Sequence, residues 1–349
     1  MGSKYTISEV SKMFNITTNK IRFYEKKGLL KPIREEENEY RKFNEQDIIK
    51  LQSILLYRSI GLTINDIRNI LDNNEKENCL AHFNNQWKFV NDEIHRLNSI
   101  RKSLEDVIDK LYGETTGYEI DSEVLDIINS SNKLSSIRNN WKDKWGFNHW
   151  AKTYDNDVIE DKGQFKIYKN YNLILQSVYD LVNNVKLKNP IILEIGVGTG
   201  NLASKFLNNN CEIIGIDQSR EMLLVAKQKY PNLKVRLGEF LKIPYDNKYF
   251  DIIISTYAFH HLNESEKVIA IEEMIRVLKD DGIIVIGDLM FKSKDDEKGI
   301  FNELSKEQVE EIEDEYYSHI DFLENEFKKY NKNLEYRKID ELNYIIKVD

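Results

Sequence analysis

The stretch from Leu80 to Tyr112 limits the possible folds more than any other part of the chain. Leu80, Phe83, Trp87, Val90, Ile94, Leu97, Arg101, Leu104, Ile108 and Leu111 recur at alternating steps of three and four without a break. No Pro or Gly falls between Cys79 and Gly113. The pattern predicts one long helix, roughly 50 Å at ~1.5 Å per residue, paired along its apolar seam in a coiled coil. Arg101, the polar seam residue, is suited to fixing register or partner. The alternative is an amphipathic helix packed on its own chain. Charge differs on the two sides. Residues 1–72 carry 13 Lys and Arg against 10 Asp and Glu, a net +3. The remainder carries 37 against 49, a net −12 within a whole-chain −9. A basic head on an acidic chain points to nucleic acid at that end.

The 349 residues suffice for two or three domains with full cores, and 41% apolar with 31% charged residues is ordinary for a globular protein. No apolar run reaches the ~18 residues of a membrane span, and Met1-Gly-Ser-Lys4 has no apolar signal core. The expectation is a cytoplasmic protein without membrane contact. The two cysteines, Cys79 and Cys211, supply neither a disulfide framework nor a metal constellation, so no metal is expected.

Helix starts are legible in the head. Thr6-Ile-Ser-Glu9 and Thr63-Ile-Asn-Asp66 read as capping boxes, and Asn44-Glu-Gln-Asp47 as an N-cap followed by acids. A first helix from Ile7 to Phe14 would turn Val10, Met13 and Phe14 inward. A second begins near Thr18 and ends before Gly28, with Ile21 and Phe23 available to pack. Two short helices joined by a tight turn form a helix-turn-helix. Thr18, Asn19, Lys20, Arg22 and Tyr24 on the second helix are of types that reach phosphates and base edges. Arg34 to Phe43, with Tyr40 and Arg41, suits a wing.

The runs Tyr5-Thr-Ile-Ser-Glu-Val10, Ile21-Arg-Phe-Tyr-Glu-Lys-Lys-Gly-Leu-Leu-Lys-Pro32, Glu39-Tyr-Arg-Lys-Phe43 and Tyr57-Arg-Ser-Ile-Gly-Leu62 resemble the MerR family of bacterial transcriptional regulators. The resemblance covers nearly all of residues 4–72. It implies an all-α winged helix-turn-helix followed by a dimerisation coiled coil, here residues 80–112. It also implies a homodimer on operator DNA that acts on RNA polymerase by distorting an overlong promoter spacer, which is readout of shape as much as of bases. By position, Thr18, Lys20, Arg22 and Tyr24 would face the groove, and Tyr40 and Arg41 the backbone. Where that family commonly has Gly in the wing, this chain has Glu39. Either the turn differs or Glu39 takes a strained φ. The family's metal sensors place a second cysteine beyond the dimer helix; Gly113 to Asp121 has none, so Cys79 reads as a small buried residue.

After Gly113, Glu119 to Ser131 and Leu134 to Trp145 read as two connector helices. The body centres on Ile191-Ile-Leu-Glu-Ile-Gly-Val-Gly-Thr-Gly-Asn-Leu202. An apolar strand runs into three glycines, and a helix opens near Asn201, an arrangement that brings backbone and a helix N-terminus close to a ligand. Glu212-Ile-Ile-Gly-Ile-Asp217 is a second strand ending in an acid about 20 residues on, placed to take both ribose hydroxyls. Dinucleotides and S-adenosylmethionine are the two ligand classes this spacing leaves. Gly196, Gly198 and Gly200 do not have the pyrophosphate spacing, and Glu194 would repel a pyrophosphate but serve a cationic amino or sulfonium group. Chemistry therefore favours S-adenosylmethionine. Further strands at Val235–Leu237, Tyr249–Ser255 and Gly282–Gly287, a helix at Ile271–Leu278, and two strand-like runs in Leu334–Val348 complete an α/β, doubly wound, Rossmann-like sheet.

Residues 147–349 resemble the class I S-adenosylmethionine-dependent methyltransferases through this glycine motif, Phe147-Asn-His-Trp150-Ala-Lys-Thr-Tyr154-Asp155, Tyr257-Ala-Phe-His-His-Leu262, and Tyr316-Tyr317. The resemblance implies that Gly196, Gly198 and Gly200 line the methionine part, that Asp217 holds the ribose with Gln218 and Met222 beside it, that Glu239 and Phe240 hold the adenine, and that Tyr154 caps the cofactor. His261, His260 and Tyr257 are the catalytic candidates, and Tyr168, Tyr171, Tyr257 and Tyr317 candidates for a substrate wall. No Asn-Pro-Pro-Tyr and no cysteine stands at the fourth strand, which argues against methylation of nucleic-acid bases; a small molecule is the default acceptor. The chain thus divides into residues 1–75, 76–112, 113–146 and 147–349. It reads as a DNA-binding regulator whose effector module binds S-adenosylmethionine. The alternatives are a small-molecule methyltransferase controlling its own gene, and a catalytically silent sensor.

Overall fold

The computed structural model describes residues 4–35, 39–73, 79–113, 125, 129, 136–138, 143–163 and 165–349. Most of both expected connector helices, and the side chains of Cys79 and Leu111, lie outside the described residues. The chain separates into two compact units, Met1–Trp87 and Lys88–Asp349.

In the first unit the capping residues act as their chemistry dictates. Thr6 Oγ1 accepts the Glu9 N–H at 3.3 Å and Glu9 returns a bond to the Thr6 N–H, starting α1 (Ile7–Met13). Thr17 caps α2 (Thr18–Lys26) through the Lys20 N–H at 3.2 Å. Asn44 and Asp47 form a capping box for α3 (Glu45–Ser59), and Thr63 and Asp66 bond reciprocally at the start of α4 (Ile64–Asn73). Val10, Ile21, Tyr24, Leu30, Phe43, Leu51, Ile54 and Ile67 fill the core between them.

Three expectations are corrected here. The unit is not all-α: β1 (Tyr5–Thr6), β2 (Ile33–Arg34) and β3 (Arg41–Phe43) pair antiparallel in the order β1-β3-β2. Met13 is exposed rather than inward. On α2 the buried pair is Ile21 and Tyr24, while Phe23 is exposed. Residues two apart face opposite sides of a helix, whereas residues three apart share a face. Glu39 takes the left-handed conformation, φ +57°, at the hairpin turn.

Helix α5 (Cys79–Gly113) runs 35 residues unbroken. Leu80, Phe83, Ile94, Leu97, Leu104 and Ile108 of its heptad seam are exposed.

The second unit is built on a sheet of β4 (Ile191–Ile195), β5 (Glu212–Asp217), β6 (Lys234–Leu237), β7 (Phe250–Thr256), β8 (Leu278–Phe291), β10 (Leu334–Lys338) and β11 (Asn343–Val348). A short β9 (Ser318–His319) pairs with the end of β8. The order is β10-β11-β8-β7-β4-β5-β6. The five strands β6, β5, β4, β7 and β8 are parallel; β11 runs antiparallel between β8 and β10. The inner strands β4, β5 and β7 carry buried Ile-rich runs, as strands covered on both faces do, while the edge strand β6 alternates Lys, Val, Arg and Leu. The covering helices are α6 (Phe147–Trp150), α7 (Tyr154–Glu160), α8 (Tyr171–Asn183), α9 (Arg220–Lys229), α10 (Glu264–Val277), α11 (Lys294–Glu303), α12 (Lys306–Ile312) and α13 (Ile320–Lys328). Only a 3₁₀ turn, Ala203–Phe206, follows the glycine motif where an α-helix was expected. No helix among the described residues is long and apolar enough to cross a membrane.

Candidate cofactor site and nucleic-acid interface

The strand order reverses at β4, which has β5 on one side and β7 on the other. Ligands of doubly wound sheets sit outside the carboxyl ends of the strands at such a point. Here that place is a cleft of about 780 Å³, part of it open to solvent.

The glycine loop makes the cleft's floor. Gly196, Gly198 and Gly200 all have positive φ. A Cβ on Gly196 would stand 2.5 Å from Ala258 Cβ, so only glycine lets the loop pass beneath the segment after β7. Gly198 donates its N–H to Asp217 Oδ2 at 2.9 Å, and the Ser219 N–H reaches Oδ1 at 2.8 Å. Burial pushes the Asp217 carboxyl up to about 6 against those two backbone bonds. Gly200 does not line the cleft, contrary to expectation. A Cβ there would press on Leu233, Tyr230 and Ala226, so this glycine lets the loop pack against α9 and the segment after it.

Glu194 does not line the cleft; it is buried on β4 just before the glycine loop, and it is the anomaly of this region. It is 2% exposed, and its Oε2 has no hydrogen-bond partner among the described residues. Burial, aided by the charge of Asp217, pushes its carboxyl well above the usual carboxylate range. Buried carboxylates are ordinarily satisfied. Glu273 in α10 is the contrast: equally buried, it accepts the Ile243 N–H at 3.1 Å and Arg276 Nη2 at 2.8 Å.

The walls are aromatic. Phe147, Trp150, Tyr154, Tyr168, Phe240 and Tyr257 line the cleft, with Gln218, Met222, Glu239 and His261. Asp155 ties the start of α7 to the loop, accepting from Thr199 at 2.6 Å, Asn201 at 2.9 Å and Lys229 at 2.5 Å. Tyr257 has φ +50°, and its buried hydroxyl lacks a partner among the described residues. Tyr171 and Tyr317, expected to wall a substrate pocket, do not reach the cleft; Tyr171 bonds Asn201 at 3.0 Å, and Tyr317 donates to the Ile312 carbonyl at 2.8 Å.

The two histidines separate. His261 lines the cleft, its Nδ1 3.2 Å from Glu315 Oε2. Burial and the neighbouring His260 lower its pKa to about 4 against the pull of Glu315. His260 is 3% exposed and turned away from the cleft onto Asp288, at 2.5 Å. The sequence reading named neither Glu315 nor Asp288. Their signal was faint: an acid directly after Gly287 at the carboxyl end of a strand, and an acid preceding Tyr316-Tyr317.

In the head, Asn19, Lys20 and Arg22 are exposed on α2, and Thr18 is half-buried. Tyr24 is not available to a groove, because its ring is 2% exposed in the core. Arg41 is half-buried, with Nε 2.6 Å from Glu25 Oε2, and Arg34 binds the other oxygen of Glu25 at 3.1 Å. Tyr40 is 68% exposed.

Comparison with known proteins agrees. Residues 5–74 match the MerR HTH family regulatory protein model, and residues 192–282 the methyltransferase domain model. An uncharacterized methyltransferase of Oceanobacillus iheyensis is 37% identical over 206 residues, which are 57% of this chain and 93% of the relative. One from Alkaliphilus oremlandii is 35% identical over 205 residues, covering 57% and 94%. The chain belongs to this methyltransferase family. A solved S-adenosylmethionine-dependent methyltransferase of Aquifex aeolicus is 22% identical, covering 50% of this chain and 90% of that one, with a TM-score of 0.38. This class I methyltransferase domain follows a MerR-type helix-turn-helix domain in one chain, and S-adenosylmethionine is its cofactor.

Proposed function

We propose that this methyltransferase is a homodimeric, operator-binding regulator whose effector module binds S-adenosylmethionine and methylates a small molecule. The observation that carries the cofactor part is the unpartnered, buried Oε2 of Glu194 beside a glycine cradle. A carboxylate in that position has its complement in a ligand cation. Glu194 with Gly196 and Gly198 would hold the amino-acid end, and Asp217, with Gln218 and Met222 beside it, the ribose. Glu239 and Phe240 would hold the adenine, and Tyr154 would cap the site.

S-adenosylmethionine supplies an electrophilic methyl group on a sulfonium. The chain's own task is to align an acceptor with it and exclude water. The aromatic walls supply that exclusion. Tyr257, with its free buried hydroxyl, orients the acceptor, and His261, held uncharged by burial, receives an acceptor proton. His260 supports the wall rather than the reaction.

In the head, Thr18, Lys20 and Arg22 would enter the groove. The β2–β3 hairpin would be the wing, with Tyr40 at its turn and Arg41 braced by Glu25. The exposed heptad seam between residues 80 and 112 would pair two copies in a coiled coil. The dimer would act on RNA polymerase through the shape of the promoter.

Calorimetry of the full chain with S-adenosylmethionine and S-adenosylhomocysteine, repeated in the presence of operator DNA, tests this reading. Binding that Asp217→Ala abolishes supports the module. Equal affinity with and without DNA would remove the regulatory link, and binding without turnover of any acceptor would leave a sensor.

A further inference from the structure

The two histidines after Phe259 converge with a carboxylate far along the chain. His260, His261 and Glu315 each offer one donor atom, and the three donors lie within 4.8 Å of one another. Glu315 Oε2 is the meeting point, 3.2 Å from His261 Nδ1 and 3.9 Å from His260 Nε2. Behind this group Asp288, wholly buried, takes the other nitrogen of His260 and also accepts the N–H groups of Phe259 and His260. A proton held on Nδ1 by Asp288 leaves Nε2 with a lone pair on the Glu315 side. That arrangement of carboxylate, histidine and open nitrogen is the outer support metal-ligating imidazoles use.

Two imidazoles and one carboxylate are the donor set of a three-ligand zinc centre, which keeps a fourth position open. The surroundings favour a dication. Two carboxylates, the wholly buried Asp288 and the largely buried Glu315, face the histidines, and the His261 ring lies 4.3 Å from Trp145 and 5.0 Å from Phe147. The nearby buried cation, Lys267, spends its ammonium on the carbonyls of Leu262 and Tyr316.

We propose that His260, His261 and Glu315 bind a divalent transition ion of the zinc class behind the cofactor cleft, which His261 alone of the three lines, with Asp288 orienting His260. Metal–ligand bonds of about 2.0–2.1 Å put tetrahedral donors roughly 3.3 Å apart; the His261–Glu315 pair already stands at 3.2 Å, the His260–Glu315 pair at 3.9 Å closes by about 0.6 Å, and the two imidazole donors, within 4.8 Å, must move together. In the ion-bound protein His261 is a ligand rather than a base, so the acceptor proton leaves to solvent. That consequence rests on the methyltransferase reading; the ion site does not.

Full-length protein freed of metal by a chelator is titrated with Co²⁺, and S-adenosylmethionine binding is measured separately by calorimetry. The expected result is one Co²⁺ equivalent with the intense visible bands of a four-coordinate site, displaced by Zn²⁺. Binding should weaken roughly tenfold or more in Glu315→Gln and in His261→Asn. X-ray absorption of zinc-loaded wild-type protein should show two imidazoles, whatever the variants do. No tight Co²⁺ uptake, bands unchanged in Glu315→Gln, or fewer than two imidazoles would each overturn the site and leave a proton-sharing network. Retained Co²⁺ binding without S-adenosylmethionine binding would instead overturn the cofactor reading alone.

Discussion

The helix-turn-helix unit and the cofactor cleft solve burial in opposite ways. In the first, apolar rings and chains fill the core, with Tyr24, Ile21, Leu51 and Ile54 all buried, while Lys20, Arg22 and Lys26 of α2 are exposed and Glu25 is paired to Arg34 and Arg41. In and beside the second, polar atoms are buried without partners among the described residues: the Tyr257 hydroxyl in the cleft and Glu194 Oε2 next to it. A surface that meets DNA keeps its polar groups hydrated until the partner arrives. A cleft that meets a small cationic ligand strips its groups of water in advance, at a standing cost of about 1–3 kcal/mol for each unpaired group. A buried, unpaired polar atom that faces a cleft, as the Tyr257 hydroxyl does, is a sharper mark of a ligand site than an exposed charge.

The largest effect that could break this contrast is at Tyr24. Tyr24→Ala should destabilise the head by about 3–5 kcal/mol, read as a lower thermal midpoint, because it empties a filled core. Tyr24→Phe should leave operator affinity within about twofold. A large, specific loss of DNA binding in Tyr24→Phe would return this residue to the interface. Next in size, Asp217→Ala should weaken S-adenosylmethionine by roughly 100-fold, two charge-assisted ribose hydrogen bonds at about 1.5 kcal/mol each. Calorimetry reads it directly, and an unchanged affinity would remove the ribose from this end of β5.

Much of the fold was legible because its signals are local. Capping boxes act over three residues, the glycine loop is continuous with its strand, and the heptads of α5 need no tertiary knowledge. The errors came where a face or a distant partner decides. Ile21 and Phe23 cannot share a helix face, so period 3.6 alone would have chosen Tyr24 over Phe23. Gly200 sits within the ligand motif, yet its neighbours Tyr230 and Leu233 make it a packing residue. The Glu315 partner of His261 and the Asp288 partner of His260 lie 54 and 28 residues away, beyond any spacing rule.

Two glutamates sharpen the contrast inside one domain. Glu273→Gln breaks a satisfied cluster with Arg276 and His95, and should lower stability by about 1–3 kcal/mol with little change in cofactor affinity. Glu194→Gln replaces a buried carboxyl whose Oε2 has no partner among the described residues. It should leave stability equal or higher, yet weaken S-adenosylmethionine by about tenfold. Parallel denaturation and calorimetry on both variants separate the two roles. If Glu194→Gln destabilises as Glu273→Gln does, Glu194 is structural and the cationic-ligand argument fails.

The smallest effect is a pH dependence. Asp217 accepts ribose hydroxyls best when ionised, and burial lifts its pKa from 3.8 to about 6 in the free protein. S-adenosylmethionine affinity should therefore be flat above about pH 7, fall about twofold at pH 6, and drop roughly a decade per unit below that. Stability runs the other way for this group. The folded state holds the proton more tightly than the unfolded chain, so its contribution is full below 3.8 and is lost as pH rises through about 6. Affinity and stability moving in opposite directions between pH 5 and 7 would be the signature of a carboxylate buried for a ligand. If both fell together on acidification, Asp217 would be as well satisfied in the free protein as Glu273 is, and the contrast between cleft and core would rest on Glu194 alone.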